Sequence, residues 1–243
     1  MKVGFTTLSM FMDDNLEIIK KAKEYDFDMI EILGESPFFK KNNTLAFKGC
    51  GLEVSIHAPT VDINIASLNE GIKNESLRQM RKCIDYAEKI NANAITLHAG
   101  KIGRNDPILR KQALELACES ISELVDYAKS VKISVENMPV RKSFIGNKIE
   151  EIEMSRTETG CGITIDIGHG NTTKNNEELL NLKNITYCHL NDNNGEKDQH
   201  LKLGEGTLDL ELLKKIRKGI IELNNFENIL KSKKIIEEIT ANE

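Results

Sequence analysis

Short β-branched runs alternate with longer, charged segments of helical period along the whole 243-residue chain. This is the alternation of parallel strands joined by crossover helices. Eight runs read as strands: "KVGFT" (2–6), "DMIEI" (28–32), "LEVSIH" (52–57), "AITLH" (94–98), "KISVE" (132–136), "GITID" (162–166), "ITYCHL" (185–190) and "KIIEE" (234–238). Helices are expected near 14–24, 70–90, 107–130, 148–158, 176–182 and 208–222; 36–48 is ambiguous, and 224–234 reads as a surface loop or short helix. Eight such units in this length fit an α/β fold, the (β/α)8 TIM barrel, whose functional side chains gather at the C-terminal ends of the strands. A doubly wound sheet is the competitor, but no G-x-G-x-x-G follows the first run. With 40% hydrophobic content, no repeats and no Pro/Ser-rich linker, one domain over residues 1–243 is expected.

Charge and cysteines narrow the setting. A balance of 33 basic to 38 acidic residues gives a net charge of −5, which advertises no general attraction to nucleic acid. Cys50, Cys83, Cys118, Cys161 and Cys188 are widely spaced and odd in number, poor material for a disulfide framework. The N-terminal "MKVGFTTLSMF" lacks a long apolar core and a cleavage-type small-residue site, and no apolar run approaches a membrane span. A reduced, cytoplasmic protein with no membrane partner is the expectation; oligomeric state is left open.

The strand ends carry the chemistry. "SIHAP" ends in His57, "TLHAG" in His98, "SVENMP" in Glu136, "TIDIGH" in Asp166 with His169 three residues on, and "YCHLND" in His189. The last run closes on Glu237 or Glu238, and comparison of "KISVE" with "KIIEE" favours Glu238. One histidine ending a strand is more often a satisfied polar residue than a ligand, and a lone Asp or Glu there is often a cap. Repetition at one register changes that balance. All five histidines of the chain, His200 included, fall in these motifs. If the barrel closes, imidazoles and carboxylates converge on one crevice, an arrangement that is costly without a cation.

The stretch "EKDQHLKLGEG" (196–206) then has a role. Asp198 and His200 follow the seventh strand and can fold over the crevice to complete a further cation's shell. Gly204 and Gly206 allow a sharp turn into the last helix, with Thr207 as its cap. A mixed nitrogen and oxygen ligand set suits zinc, manganese or iron better than calcium.

On these residues the chain resembles the xylose isomerase-like TIM barrels, which include the family 2 AP endonucleases (endonuclease IV) and the sugar phosphate isomerases and epimerases. "HLND" (189–192) and "LGEG" (203–206) add to the likeness. The endonuclease branch implies up to three zinc ions held by His57, His98, Glu136, Asp166, His169, His189, Asp198, His200 and Glu238. The epimerase branch implies one divalent ion, such as manganese, cobalt or magnesium, on Glu136, Asp166, His189 and Glu238. The departures lie on the substrate side: Thr60 follows "HAP" where the endonucleases have an aromatic, and "DIGH" and "ENMP" replace their usual motifs. The expectation is therefore a metal-dependent sugar or sugar-phosphate isomerase or epimerase, with Glu136 and Glu238 exchanging protons on opposite faces of the substrate carbon. An endonuclease IV-like zinc phosphoesterase acting on DNA or a small phosphoester is the alternative, with Glu136 bridging two ions. A non-catalytic metal-binding barrel is the third. Lys101, Arg104, Arg141 and Lys142 are candidates to meet a substrate phosphate, although a solvated rim is the plainer role for any one of them.

Overall fold

The structure, a computed structural model, describes residues 1–35 and 45–241. Its eight strands are β1 (Lys2–Thr6), β2 (Met29–Leu33), β3 (Glu53–His57), β4 (Ala94–His98), β5 (Lys132–Glu136), β6 (Gly162–Asp166), β7 (Ile185–Leu190) and β8 (Lys218–Ile221). They pair in parallel in chain order, and β1 closes on β8. The helices are α1 (Asn15–Glu24), α2 (Glu70–Ile90), α3 (Pro107–Tyr127), α4 (Ile149–Thr159), α5 (Ile167–Thr173), α6 (Asn176–Leu180) and α7 (Phe226–Thr240). The result is the expected (β/α)8 barrel. Most of the segment left ambiguous, residues 36–44, lies outside the described residues. No helix of the described residues is long and apolar enough to cross a membrane.

Strand residues alternate between two environments, because successive side chains point to opposite faces. Ile30, Ile32, Val54, Ile56, Ile95, Leu97, Ile133, Val135, Ile163 and Ile165 join one apolar cluster with the helices. The alternate positions face inward and are largely polar: Glu31, Ser55, Thr96, Ser134 and Thr164 are all buried. A small apolar plug of Met29, Ala94, Tyr187 and Ile220 shares that interior. An inward position at the end of a strand therefore opens onto the crevice, which is why His57, His98, Glu136, Asp166 and His189 converge.

The C-terminal part of the chain departs from expectation. Residues 234–238 lie in α7, not in a strand. Buried Ile229, Ser232 and Ile236 follow the helical repeat, and Lys231–Glu227, Lys233–Glu237 and Lys234–Glu238 pair at the i,i+4 spacing of a helix. The eighth strand is "KGII" (218–221), inside the segment 208–222 expected to be helical; that segment divides into a 3-10 helix at Leu210–Lys215 and β8. Asp209, not Thr207, caps the 3-10 helix by accepting the Glu211 N–H, while the Thr207 hydroxyl donates to the Asn193 carbonyl.

Candidate metal centre

The barrel mouth assembles three donor groups, in each of which one ligand atom per residue lies within 4.8 Å of the others: His57, His98 and Glu136; Glu136, Asp166, His189 and Glu222; and His169, Asp198 and His200. Glu136 belongs to two of them. Its Oε2 is 3.0 Å from His98 Nε2 and 3.3 Å from His57 Nε2, and its Oε1 is 2.8 Å from His189 Nδ1.

The backbone orients these side chains. His57 Nδ1 lies 2.9 Å from the Ala58 carbonyl, His169 Nδ1 2.7 Å from that of Asn137, and His200 Nδ1 2.9 Å from that of Glu222, so in each ring Nε2 is left for the site. Asp166 ends β6 and caps α5, where its Oδ1 accepts the His169 N–H at 2.6 Å; Asn191 Nδ2 donates to Oδ2 at 2.9 Å. The loop bearing Asp198 and His200 is built on Asp192. This buried carboxylate accepts backbone N–H groups from Asn193, Gly204, Gly206 and Leu208, and the Asp192 and Leu201 backbones bridge. Gly206 is required by close approach, since a Cβ there would lie 2.2 Å from the Asn193 carbonyl oxygen. His200 itself takes a left-handed φ of 48°, so the backbone is not extended at that residue.

The electrostatics fit a cation site. Glu31, Glu136, Asp166, Asp198 and Glu222 crowd together, and among the described residues their ion-pair partners are histidines. Burial pushes the Asp166 carboxyl up to about 6, and Glu136, Glu222 and Asp198 add to that against the pull of His169. Burial disfavours the imidazolium of His57, but Glu136, Glu31 and Glu222 outweigh it and hold the ring at about 9. His169 and His200 are likewise held at about 10 by their carboxylates, Asp166 and Asp198 foremost, in spite of burial. His98, whose largest influence is burial, is lowered. The raised rings of His57, His169 and His200 thus favour positive charge beside these carboxylates, in the place where divalent cations would supply it.

Eight of the nine ligand candidates from the sequence are brought together, and Glu238 is not. Glu238 lies on the outer helix α7, 64% exposed and paired with Lys234, because the run that bears it is not a strand. Glu222, immediately after β8, occupies the corresponding strand end, its Oε2 3.2 Å from His189 Nδ1. Its signal in the sequence was "GIIE" (219–222), a short apolar run ending in a carboxylate like "KISVE". Glu31 was also missed, although a lone acid inside "DMIEI" was visible. Of the cation candidates, Arg141 lines the crevice, stacked over Phe144. Lys101 lines an adjoining cavity with Thr60 and His98. Arg104 and Lys142 are exposed on the loops, and the Lys142 carbonyl accepts from Arg110. Lys197, not singled out, also lines the crevice, which has a volume of about 660 Å³ and an apolar wall formed by Leu8, Leu33, Met138, Pro139 and Phe144.

This fold is shared with known proteins. Residues 19–226 match the xylose isomerase-like TIM barrel family, to which the chain belongs. It is 30% identical to the uncharacterised protein MJ1311 of Methanocaldococcus jannaschii, across 98% of this chain and 89% of that protein. It is 27% identical to a probable endonuclease 4 of Thermoplasma acidophilum, across 79% of this chain and 73% of the relative. Among solved structures, a D-tagatose 3-epimerase-like protein superposes with a TM-score of 0.86 at 29% identity, covering 99% of this chain and 97% of that one. The chain's relatives thus include both an epimerase-like protein and a probable endonuclease 4.

Proposed function

We propose that the protein is a divalent-metal-dependent phosphoester hydrolase working through a three-cation centre. One observation carries the reading: the His169, Asp198 and His200 group is complete, and a one-ion isomerase has no need of it. Zinc suits the donor set, which is nitrogen-rich in two groups and carboxylate-rich in the group of Glu136, Asp166, His189 and Glu222. When bound, such cations polarise the phosphoryl group and make water nucleophilic at neutral pH. The chain's own contribution is position. Glu136 fixes the separation of two groups through its two oxygens. Arg141 and Lys197 flank the crevice where a phosphoester's charge would lie, and the apolar wall limits access of bulk water. A compact phosphoester, or a single sugar phosphate of DNA, suits the crevice volume.

A second reading has its own observation. Glu136 and Glu222 both belong to the group of four donors and both approach His189 Nδ1, at 2.8 and 3.2 Å. In a sugar or sugar-phosphate epimerase these two glutamates would pass protons on either face of the substrate carbon, with Glu222 in the part assigned from sequence to Glu238. The likeness to a D-tagatose 3-epimerase-like protein supports it.

Elemental analysis of protein purified without chelator, joined to assays on abasic-site DNA, a chromogenic phosphodiester and ketoses in deuterated water, separates the two. Two or three zinc ions per chain with phosphoester cleavage is the expected result. A single ion with deuterium exchange into a ketose and no cleavage would overturn it in favour of the epimerase.

A further inference from the structure

His189 is turned the opposite way from its companions. Where His57, His169 and His200 give Nδ1 to a backbone carbonyl and His98 presents Nε2 to Glu136, His189 presents Nδ1 to Glu136 and Glu222. Its Nε2 points down into the barrel, 2.8 Å from Glu31 Oε1. Glu31 lies on β2 with no exposed surface, and its other oxygen accepts the Tyr187 hydroxyl at 2.6 Å. The Tyr187 hydroxyl in turn meets Thr96 Oγ1 at 2.6 Å, which meets Thr164 Oγ1 at 2.7 Å. A carboxylate in the middle of a barrel strand is expensive unless paired and hydrogen-bonded.

We infer that Glu31, held in place by Tyr187, is a positioning residue that fixes His189 with its proton on Nε2 and its Nδ1 lone pair toward Glu136, Asp166 and Glu222. A neutral imidazole carries one N–H, so a ring that gives Nδ1 to a cation must place its proton on Nε2, where a dry interior requires an acceptor. Glu31 Oε1 and His189 Nε2 are in reach of each other but are not aligned as a hydrogen bond, and among the described residues neither atom has another hydrogen-bond partner. The role is the carboxylate–histidine–metal arrangement, supplied from inside the barrel and from a different strand. It rests on a cation at the four-donor group, which both functional readings share.

The test compares wild type, Glu31→Gln and Tyr187→Phe by zinc competition with a chromophoric chelator, by side-chain histidine ¹H–¹⁵N spectra of zinc-loaded protein, and by melting of metal-free protein. Glu31→Gln keeps the shape and removes the charge. Its zinc affinity at one site should fall by about 10–100-fold, as for other outer partners of metal-bound histidines, with the remaining ions unaffected. Wild-type His189 should show the Nε2–H tautomer with Nδ1 coordinated. Unchanged affinity in Glu31→Gln, or a His189 bearing its proton on Nδ1, overturns the inference. Should Glu31→Gln fail to fold, Tyr187→Phe decides: a several-fold weaker site supports the role, and wild-type affinity refutes it. Absence of zinc binding by the wild type would remove the metal reading itself, whereas wild-type binding that the variants leave intact removes only the part given to Glu31.

Discussion

His98 and Glu136 are register partners across β4 and β5, and their side chains meet at 3.0 Å over the barrel mouth. The same carboxylate reaches His189 with its other oxygen, so one side chain ties two donor groups together. Glu136→Gln should therefore lower turnover of any substrate by more than the about 10²–10⁴-fold that loss of a single proton-transfer group explains. It should also remove more than one ion's worth of metal. Steady-state kinetics and elemental analysis of the same preparation check both; a loss of activity with full metal content would count against the shared role.

Glu222 and Glu238 make opposite forecasts. Glu222→Gln should weaken metal binding and reduce activity in both functional readings, because Oε2 lies 3.2 Å from His189 Nδ1. Glu238→Gln, on the outer face of α7, should change stability by less than about 0.5 kcal/mol and leave metal content at the wild-type level. Urea melts and metal analysis of the two variants, run in parallel, would show the reverse if 234–238 were the strand.

Asp192→Ala should be among the most destabilising single changes in the chain. It leaves the N–H groups of Asn193, Gly204, Gly206 and Leu208 without their common acceptor in a buried turn. A cost of about 3–5 kcal/mol is expected from losing several charge-assisted bonds at once. The denaturation midpoint should fall, and the ion of the His169, Asp198 and His200 group should be lost first. Full retention of all ions at wild-type stability would contradict the part given to Asp192.

Metal-free protein should lose stability as pH rises from 6 to 10. The His57, His169 and His200 rings, raised to about 9, 10 and 10, contribute stability that is complete below their unfolded value of 6.5 and lost as pH rises through the folded values. Asp166, raised to about 6, acts in the same sense: its contribution is complete below 3.8 and gone above the folded value. A net loss of 1 kcal/mol lowers the melting temperature by about 2–4 °C in a chain of this size. Zinc requires these ligands deprotonated, so the gap between loaded and metal-free melting should widen from pH 6 to pH 9. Calorimetry on both forms tests the sign, and metal-free protein melting higher at pH 9 than at pH 6 would refute it.

The first seven strands were legible because each is a run of β-branched residues bounded by turn chemistry, and the inward-facing ends announce themselves by residue type. The last strand was not, because "KGII" (218–221) is short and follows a charged stretch, whereas "KIIEE" shares the Lys-Ile start and Glu end of the β5 run "KISVE" yet lies in a helix. Periodicity over a longer window distinguishes the two: Ile229, Ser232 and Ile236 recur at helical spacing and their charged neighbours pair at i,i+4. Glu31 escaped for a different reason. A single acid inside an apolar strand is ordinary on an exposed face, and only barrel closure shows that its face is the interior.

No loop separates β6 from α5. Asp166 ends the strand and caps the helix, and His169 is the residue whose N–H it accepts. The two side chains serve different donor groups. The distance between those groups is therefore gauged by a single helical turn, which rises about 5.4 Å, and not by a segment free to change its path. One continuous strand–helix segment thus spaces two of the three groups, so selection for a differently spaced centre would have to act on the start of this helix before it could act on any ligand.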